Sequence, residues 1–321
     1  MNKSCVIIGL GKIGMDYDLN VIGESPIYTH ARAIVAHPKL RLLGAVDVSP
    51  EQRARFERRY RAPAFDQVEL AMRELQPDIV TIATPSESHA HILSKVLDVC
   101  QPGVILCEKP LAYTLNEARQ IVETCEKVGI DLFVNYMRRT DPGVNEVKRR
   151  LDTGEISSPV KISAWYSKGI INNGSHLINL MEFWLGDATD ATVIDSGRFW
   201  DSRDPEPDVE IKFDSHRVVL RSAWEEAFSF FSIELLSRSG RLRYDAGGEF
   251  IHWQGVRADP RFEGYRVLAS KNEKITNRMD IYQWTVYDQI SKYLEGSATT
   301  LCTGPQALKT LRTIDLIINK R

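Results

Sequence analysis

The sequence predicts an α/β protein in two parts: an N-terminal doubly wound parallel sheet, then an α+β domain built on a large, mainly antiparallel sheet. Three observations predict it. Short apolar runs alternate with helical stretches through the first 135 residues, a glycine-rich turn directly follows the first of those runs, and beyond residue 136 strands succeed one another with few helices between them. A strand that returns through a helix pairs in parallel, whereas strands in direct succession pair antiparallel. The expected division is therefore 1–135 and 136–321, with the terminal helix 305–319 a candidate to pack back on the first domain.

Cys5-Val6-Ile7-Ile8 reads as the first buried strand, and Gly9-Leu10-Gly11-Lys12-Ile13-Gly14 follows at once. In a dinucleotide-binding turn the first glycine makes the tight bend and the second lets backbone approach a pyrophosphate. The third lets the helix pack on the strand, with its amino end facing the phosphates. Such a pattern is weak alone and depends on its context. Here Leu40 to Val46 is a second strand, with Asp47 at its end. An acid there accepts hydrogen bonds from ribose hydroxyls and repels a 2′-phosphate, which favours NAD over NADP. Asp47 could instead cap the helix opened by Ser49-Pro50-Glu51, and the two roles are compatible. The gap from Gly14 to Asp47 exceeds the usual ~20 residues, so residues 16–28 read as an insertion ahead of a helix over Thr29 to His37.

Further on, helices are expected at Pro50–Arg59, Val68–Leu75, Ser88–Asp98 and Leu115–Val128. Strands are expected at Ala64-Phe65, Asp78–Ala83 (ending in Thr84-Pro85), Val104–Cys107 and Ile130–Val134. Glu108-Lys109-Pro110 lands straight after the third of these. A lysine at the carboxyl end of a buried strand holds its ammonium over the sheet edge where ligands bind in open α/β sheets. Pro110 fixes the backbone and biases Lys109 to an extended conformation. A strand-end Lys-Pro is often only a solvated turn, and the glycine loop is what shifts the reading toward function. In the second part, Val160–Tyr166, Val193–Phe199, Val209–Phe213, Val218–Trp224, Ser229–Ser237 and Gly240–Tyr244 read as strands, interrupted by a helix at Ser175–Trp184. Helices Asp280–Leu294 and Pro305–Asn319 close the chain.

Composition narrows the class. With 321 residues, 43% hydrophobic and 26% charged, the chain suits two globular domains. A formal net charge of −2 provides no global field for nucleic acid or anionic membranes. Five cysteines without zinc-like or CxxC spacing fit a reducing cytoplasm. The amino terminus does not read as a signal peptide, and no apolar run is long enough to span a membrane. His30, His37, His91, His216 and His252 lack metal-ligand spacing, so no metal is expected.

Taken together, Gly9 to Gly14, Asp47, Thr84-Pro85 with His89 four residues on, and Glu108-Lys109-Pro110 resemble the glucose-fructose oxidoreductase / inositol dehydrogenase (Gfo/Idh/MocA) family. Asn135-Tyr136-Met137-Arg138-Arg139, Asn172-Asn173-Gly174-Ser175-His176 and the helix opened by Gly304-Pro305-Gln306-Ala307 extend the resemblance over nearly the whole chain. It implies a Rossmann domain followed by a sheet of mixed strands whose open face usually makes dimers or tetramers. It also implies NAD(P)-dependent oxidation or reduction of a carbinol on a sugar, cyclitol or nucleotide-sugar. Cofactor contacts are implied for Gly9, Gly11, Lys12, Ile13, Gly14, Asp47, Thr84, Pro85, His89, Glu108 and Lys109, with NAD expected ahead of NADP. His89 and Glu108 read equally as structural residues, with Glu108 a candidate anchor of the loop that presents Lys109. Lys109, Tyr136, Arg138, Asn172 and His176 are the implied substrate contacts. Lys109, His176 and Asn172 form the implied catalytic set.

The residue types suit that chemistry. Oxidising a secondary alcohol requires one group to polarise the oxygen and one to take its proton while hydride leaves the same carbon. The Lys109 cation can stabilise a developing alkoxide, and the resemblance puts it over the nicotinamide, whose charge would make it a candidate base too. His176 stands at a helix start, where the dipole favours neutral imidazole, although a helix-start histidine can merely satisfy nearby backbone. The chain departs from the family by carrying Asn172 and Asn179 where acids usually stand four residues before and three after the histidine. Asn172 could orient the imidazole but cannot stabilise imidazolium by charge, which would shift work to Lys109 or slow the reaction.

Arg138 and Arg139 could grip a diphosphate or carboxylate, or form a solvent-exposed interdomain salt bridge. Trp165, Tyr166 and Lys168 could line a sugar pocket, or be sheet-face packing. The 16–28 insertion could cover the cofactor, wall the substrate pocket or be a neutral surface loop. The expected function is that of a cytoplasmic, homodimeric or homotetrameric NAD-dependent dehydrogenase or ketoreductase acting on a sugar or nucleotide-sugar, in glycan biosynthesis. The alternatives are a dinucleotide-binding sensor that has lost efficient catalysis, and a cyclitol dehydrogenase.

Overall fold

Apolar strands and capped helices alternate along residues 2–321, which the computed structural model describes. The chain begins β1 (Lys3–Ile8), α1 (His30–Ala36), β2 (Leu40–Val46), α2 (Pro50–Tyr60), β3 (Ala64–Phe65), α3 (Val68–Leu75), β4 (Ile79–Ile82), α4 (His89–Leu97), β5 (Val104–Cys107), α5 (Leu115–Val128) and β6 (Asp131–Val134). It continues α6 (Pro142–Asp152), β7 (Lys161–Tyr166), α7 (Ser175–Leu185), β8 (Ala188–Asp195), β9 (Asp208–Phe213), β10 (His216–Ser222), β11 (Ser232–Ser237), β12 (Gly240–Asp245) and β13 (Phe250–Ala258). Last come β14 (Arg266–Leu268), β15 (Glu273–Ile275), α8 (Tyr282–Leu294), β16 (Cys302–Thr303) and α9 (Gly304–Asn319). Thr29, Ser49 and Thr114 cap α1, α2 and α5 by accepting backbone N–H groups, and Gly129 ends α5 in the left-handed conformation.

Two compact units result: residues 1–140 with 280–308, and residues 141–279 with 309–321. This differs from the expected division at 135/136. The chain returns to the first unit because α8 supplies polar and apolar partners to its interior: the Tyr287 hydroxyl lies 2.7 Å from that of Thr81, and Val286 and Ile290 are fully buried. The short β16 then pairs antiparallel with β6 and covers that edge of the sheet. The remaining division falls inside α9, so 305–319 is shared between the units.

The first unit holds a seven-stranded sheet in the order β16-β6-β5-β4-β1-β2-β3. Six strands pair in parallel, and the order reverses between β1 and β4. That reversal opens a crevice at the carboxyl ends of β1 and β4. β5, central and fully buried, carries Glu108-Lys109 at its carboxyl end.

In the second unit a nine-stranded sheet runs β14-β13-β12-β11-β7-β10-β9-β8, with β15 beside β13. It is antiparallel except where β7 and β10 pair in parallel. Alternation assigns the faces: Ile162, Ala164 and Tyr166 of β7 join Leu177, Met181 and Trp184 of α7 in the core, while Lys161 and Trp165 point away. Burying each such large apolar side chain contributes about 1.5–3 kcal/mol. The opposite face carries charged side chains, among them the Glu210–Arg217 pair (3.1 Å).

The departures from expectation here are one helix, the three strands β13, β14 and β15, and the limits of one further strand. Helix α6 was not anticipated, although Asp141-Pro142 is a strong helix start and the Asp141 carboxylate caps Gly143 and Val144. β13 was not anticipated either, and the strand expected at 193–199 lies at Ala188–Asp195, where pairing with β9 sets its limits.

Candidate functional site

The glycine loop follows β1 with the geometry its residue types require. Gly9 has φ +100°, and a Cβ on it would stand 2.7 Å from the Ala83 carbonyl. A Cβ on Gly14 would stand 2.2 Å from the Gly9 oxygen, so both positions exclude any side chain. Gly11 faces open space instead. A cavity of about 420 Å³ lies against Gly9 and Gly11 and is walled by Asp47, Thr84 and Pro85. Its far wall is Asp66, Gln67, His91 and Lys95, which sequence reasoning missed because nothing local marks them as facing the glycines. Lys12, exposed, and Ile13, half-buried, belong to the loop but do not line this cavity. A close-approach glycine beside an open, partly apolar crevice fits an adenine dinucleotide.

The insertion proves to be a splice in α1. Met15 N–H donates to the Gly11 carbonyl, completing one turn, and then His30 N–H donates to Ile13 and Ala31 N–H to Gly14, each at 3.0 Å. These last bonds are ordinary i to i−4 helix bonds once the thirteen residues 16–28 are looped out. Without them the Gly14-to-Asp47 separation returns to the usual ~20 residues. The buried Asp18 carboxylate closes the loop, accepting from Tyr28 N–H (2.7 Å), Thr29 N–H (3.0 Å) and the Thr29 hydroxyl (2.6 Å). No residue of 16–28 lines the 420 Å³ cavity. Tyr28 stacks on Tyr282 of α8 with ring centroids 5.3 Å apart.

The Asp47 carboxylate bridges two stretches of backbone. One carboxylate oxygen accepts Leu10 N–H (2.7 Å) and the other Ser49 N–H (2.8 Å), tying the glycine loop to the end of β2. The α2 cap is Ser49. His89 is buried, with Nδ1 3.1 Å from the Leu111 carbonyl and Nε2 2.9 Å from that of Thr84. Its ring therefore braces the Thr84-Pro85 turn against the segment after Pro110, the structural one of the two roles expected of it. Glu108 is likewise turned inward. Its Oε1 accepts from His30 Nε2 (2.9 Å) and Asn135 Nδ2 (2.6 Å), and its Oε2 from the Lys109 backbone N–H (3.2 Å). Burial pushes the Glu108 carboxyl up, but the hydrogen bonds from His30 and Asn135 and the nearby positive charge of Lys109 outweigh it, and the group sits below the usual range. The Lys109–Pro110 peptide is cis. Tyr136 and Arg139 are buried in this unit and Arg138 is half-buried.

The second unit carries Asn172 and His176. A π-helical turn, Gly169–Gly174, leads directly into α7. Two buried acids hold it: Asp204 accepts Ile171 N–H and Asn172 N–H, both at 2.8 Å, and Glu206 accepts Gly169 N–H at 3.2 Å. Gly169 has φ +76°, and a Cβ there would stand 2.0 Å from the Asp204 carboxyl carbon. His176, the second residue of α7, is 7% exposed. Asn179 donates to the Thr310 hydroxyl (2.9 Å), a packing contact of α7 with α9. Tyr166 belongs to the core and donates to the Pro207 carbonyl (2.6 Å); burial, then Glu206, Asp208 and Asp204, push its hydroxyl well up. Lys168 pairs with Glu225 at 3.1 Å. Thus Lys109 and Glu108 are positioned within the first unit, Asn172 and His176 within the second. Sequence reasoning missed Asp204 and Glu206, which lie some thirty residues from the turn they hold; the run Asp204-Pro205-Glu206-Pro207-Asp208 was the available signal.

Among the described residues no group of side chains could hold a metal ion, and no helix is long and apolar enough to cross a membrane.

Residues 3–136 match the GFO/IDH/MocA family, described as an oxidoreductase family with an NAD-binding Rossmann fold. That match lies within the first unit, over the Rossmann part of the chain. A stretch of 166 residues is 30% identical to an inositol 2-dehydrogenase of Rubrobacter xylanophilus, covering 51% of this chain and 45% of that one. The match thus spans less than half of that relative's length. Another 257-residue match, 24% identical, is to a D-xylose 1-dehydrogenase [NADP(+)] of Haloarcula marismortui and covers 71% of this chain and 66% of the relative. Among solved structures, the WlbA dehydrogenase from Bordetella pertussis, in complex with NADH and UDP-GlcNAcA, superposes with a TM-score of 0.75 at 17% identity. It covers 100% of this chain and 96% of that one, and at that identity the likeness is one of fold.

Proposed function

We propose that this protein belongs to the Gfo/Idh/MocA family and is an NAD-dependent dehydrogenase or ketoreductase that moves hydride between nicotinamide and a secondary alcohol or ketone of a sugar or nucleotide-sugar. The observation that carries the reading is Lys109. It stands at the carboxyl end of a fully buried central strand, in the same unit as the glycine-loop cavity. NAD, when bound, supplies the hydride acceptor. Lys109 polarises the substrate oxygen, and His176 takes or returns its proton, with Asn172 orienting the imidazole. Arg138 and Tyr136 contribute substrate contacts. NAD is favoured over NADP because the Asp47 carboxylate walls the cavity and would repel a 2′-phosphate. Named relatives that act on inositol and xylose, and a fold neighbour bound to UDP-GlcNAcA, support a polyhydroxylated substrate. A role in glycan biosynthesis and assembly into dimers or tetramers through the open sheet face belong to the same proposal.

The test is a panel of nucleotide-sugars, free sugars and cyclitols with NAD and NADP, following reduced nicotinamide. Turnover with NAD that collapses in Lys109→Ala supports the reading. Tight NAD binding without turnover on any class replaces it with a dinucleotide sensor, which the uncharged Asn172 and the packing contact of Asn179 would then explain. A structure with NAD and substrate that leaves Lys109 and His176 on different ligands would end their shared role.

A further inference from the structure

Four side chains behind Lys109 close a ring of hydrogen bonds. Asn135 Nδ2 donates to Glu108 Oε1 at 2.6 Å and to Gln283 Oε1 at 3.1 Å. Gln283 Nε2 lies 2.9 Å from His30 Nδ1, and His30 Nε2 lies 2.9 Å from Glu108 Oε1. The Tyr287 hydroxyl joins at His30 Nδ1 (3.0 Å) and continues to Thr81 (2.7 Å). His30, Gln283, Tyr287 and Thr81 are fully buried, and Asn135 is 4% exposed.

The ring has one consistent polarity, and an ionised Glu108 sets it. A carboxylate only accepts, so Asn135 must present its amide nitrogen to it. Asn135 then also donates to Gln283, whose oxygen is thereby committed and whose nitrogen faces His30. Nδ1 of His30 accepts, so Nε2 carries the proton and donates to Glu108. The buried Asn135 Oδ1 has no hydrogen-bond partner among the described residues. Turning the amide over would not supply one, since it would set that oxygen against the Glu108 carboxylate and the Gln283 oxygen. Leaving such an acceptor unmet is costly, and the charge-assisted bonds to Glu108 offset that cost.

We propose that Glu108 is a positioning residue, a fixed ionised counter-charge to Lys109, and that the ring through Asn135, Gln283 and His30 keeps it ionised. The Glu108 charge thereby favours the oxygen-polarising cationic form of Lys109 until a cofactor's positive charge opposes it. This role in the reaction rests on the dehydrogenase reading above. The titratable neighbours leave the pair as the working charges. Cys107 on β5 and Tyr282 and Tyr287 on α8 are pushed up, chiefly by burial and further by Glu108, and stay neutral, while Arg138 faces Tyr282. The splice of α1 serves the ring, since it returns His30 to helical register beneath the glycine loop.

The experiment reads Lys109 directly and needs no turnover. Competitive acetylation of the full chain by acetic anhydride across pH, with and without NAD, gives the pH at which half of the Lys109 amine reacts, by mass spectrometry of its peptide. Glu108→Gln, nearly isosteric, is expected to lower that pH by about one unit, a tenfold change in the protonation equilibrium. His30→Leu is expected to move the infrared carbonyl titration of Glu108 (the band absent in Glu108→Gln) to higher pH, and His30→Gln, which keeps an N–H donor, to move it back. Where His30→Leu does not fold, Gln283→Leu is read instead. Unchanged Lys109 reactivity in folded Glu108→Gln overturns the counter-charge. An unmoved Glu108 band in His30→Leu or Gln283→Leu overturns the ring. Failure of the dehydrogenase reading would show separately, as absent turnover with these shifts intact.

Discussion

The two units hold their reactive segments by opposite means. In the first, side chains converge on one carboxylate, and His30, Asn135 and the Lys109 amide fix the charge of Glu108. In the second, carboxylates reach out to the main chain, and Asp204 and Glu206 fix the path of the Gly169–Gly174 turn ahead of His176. The first arrangement sets an electrostatic environment, the second a backbone position. Changes in the first should therefore alter chemistry with little loss of fold, and changes in the second should cost stability as well.

Five experiments can break or sharpen that contrast. Lys109→Ala should lower kcat/KM on any productive substrate by about 10²–10⁴-fold, the span of a positioned acid–base group, with Tm near wild type. A comparable loss of Tm would break the contrast at its strongest point. Asp204→Ala strands two buried N–H groups and should cost about 1–3 kcal/mol per group, measured by urea unfolding, together with activity. Gly169→Ala forces a Cβ into Asp204 at positive φ and should cost a further ~1–3 kcal/mol of the same kind.

Glu108→Gln should change the acid limb of stability. The folded Glu108 carboxyl lies below its ordinary value of 4.5, so its ionised form stabilises the fold above that pH, and the contribution is lost as pH falls through the folded value. Urea midpoints of Glu108→Gln should thus fall less steeply than wild type below pH 4.5. A steeper fall would mean that burial dominates the group after all. Smallest of all should be deletion of residues 16–28, joining Met15 to Thr29. Because the helix bonds already run across the splice, NAD titration should give an affinity within about threefold of wild type, less than 1 kcal/mol. Loss of NAD binding would make the loop part of the cofactor site.

Much of the first unit was legible in local chemistry. Apolar runs at Cys5–Ile8 and Val104–Cys107 can only be buried strands, and Gly9 and Gly14 stand where no Cβ fits. The excess between Gly14 and Asp47 marked the insertion correctly. What stayed hidden depended on partners far along the chain. His30 and Gln283 look like ordinary helix residues until 253 positions of sequence separation are closed by folding. The same distance argument explains why 280–308 was assigned to the wrong side of the expected division, since β16 and α8 show their purpose only beside β6 and Thr81. In the second unit Asn172 and Asn179 drew attention as absent acids, while the acids that hold the turn came from residues 204 and 206.

The sequence by itself determined the alternation of strands and helices in the first unit, the glycines of the turn after β1, and the lysine at a buried strand's end. These follow from periodicity, from missing Cβ atoms and from short-range turn chemistry, all of which act within a few residues. Tertiary structure alone decided that Asp47 ties the glycine loop, that His89 braces a turn, and that Glu108 faces inward with its charge locked. Hydrogen-bond polarity and burial are properties of surroundings. A carboxylate's role is settled by the donors that folding brings to it, and for Glu108 those come from α1, β6 and α8, elements that only the fold assembles around it.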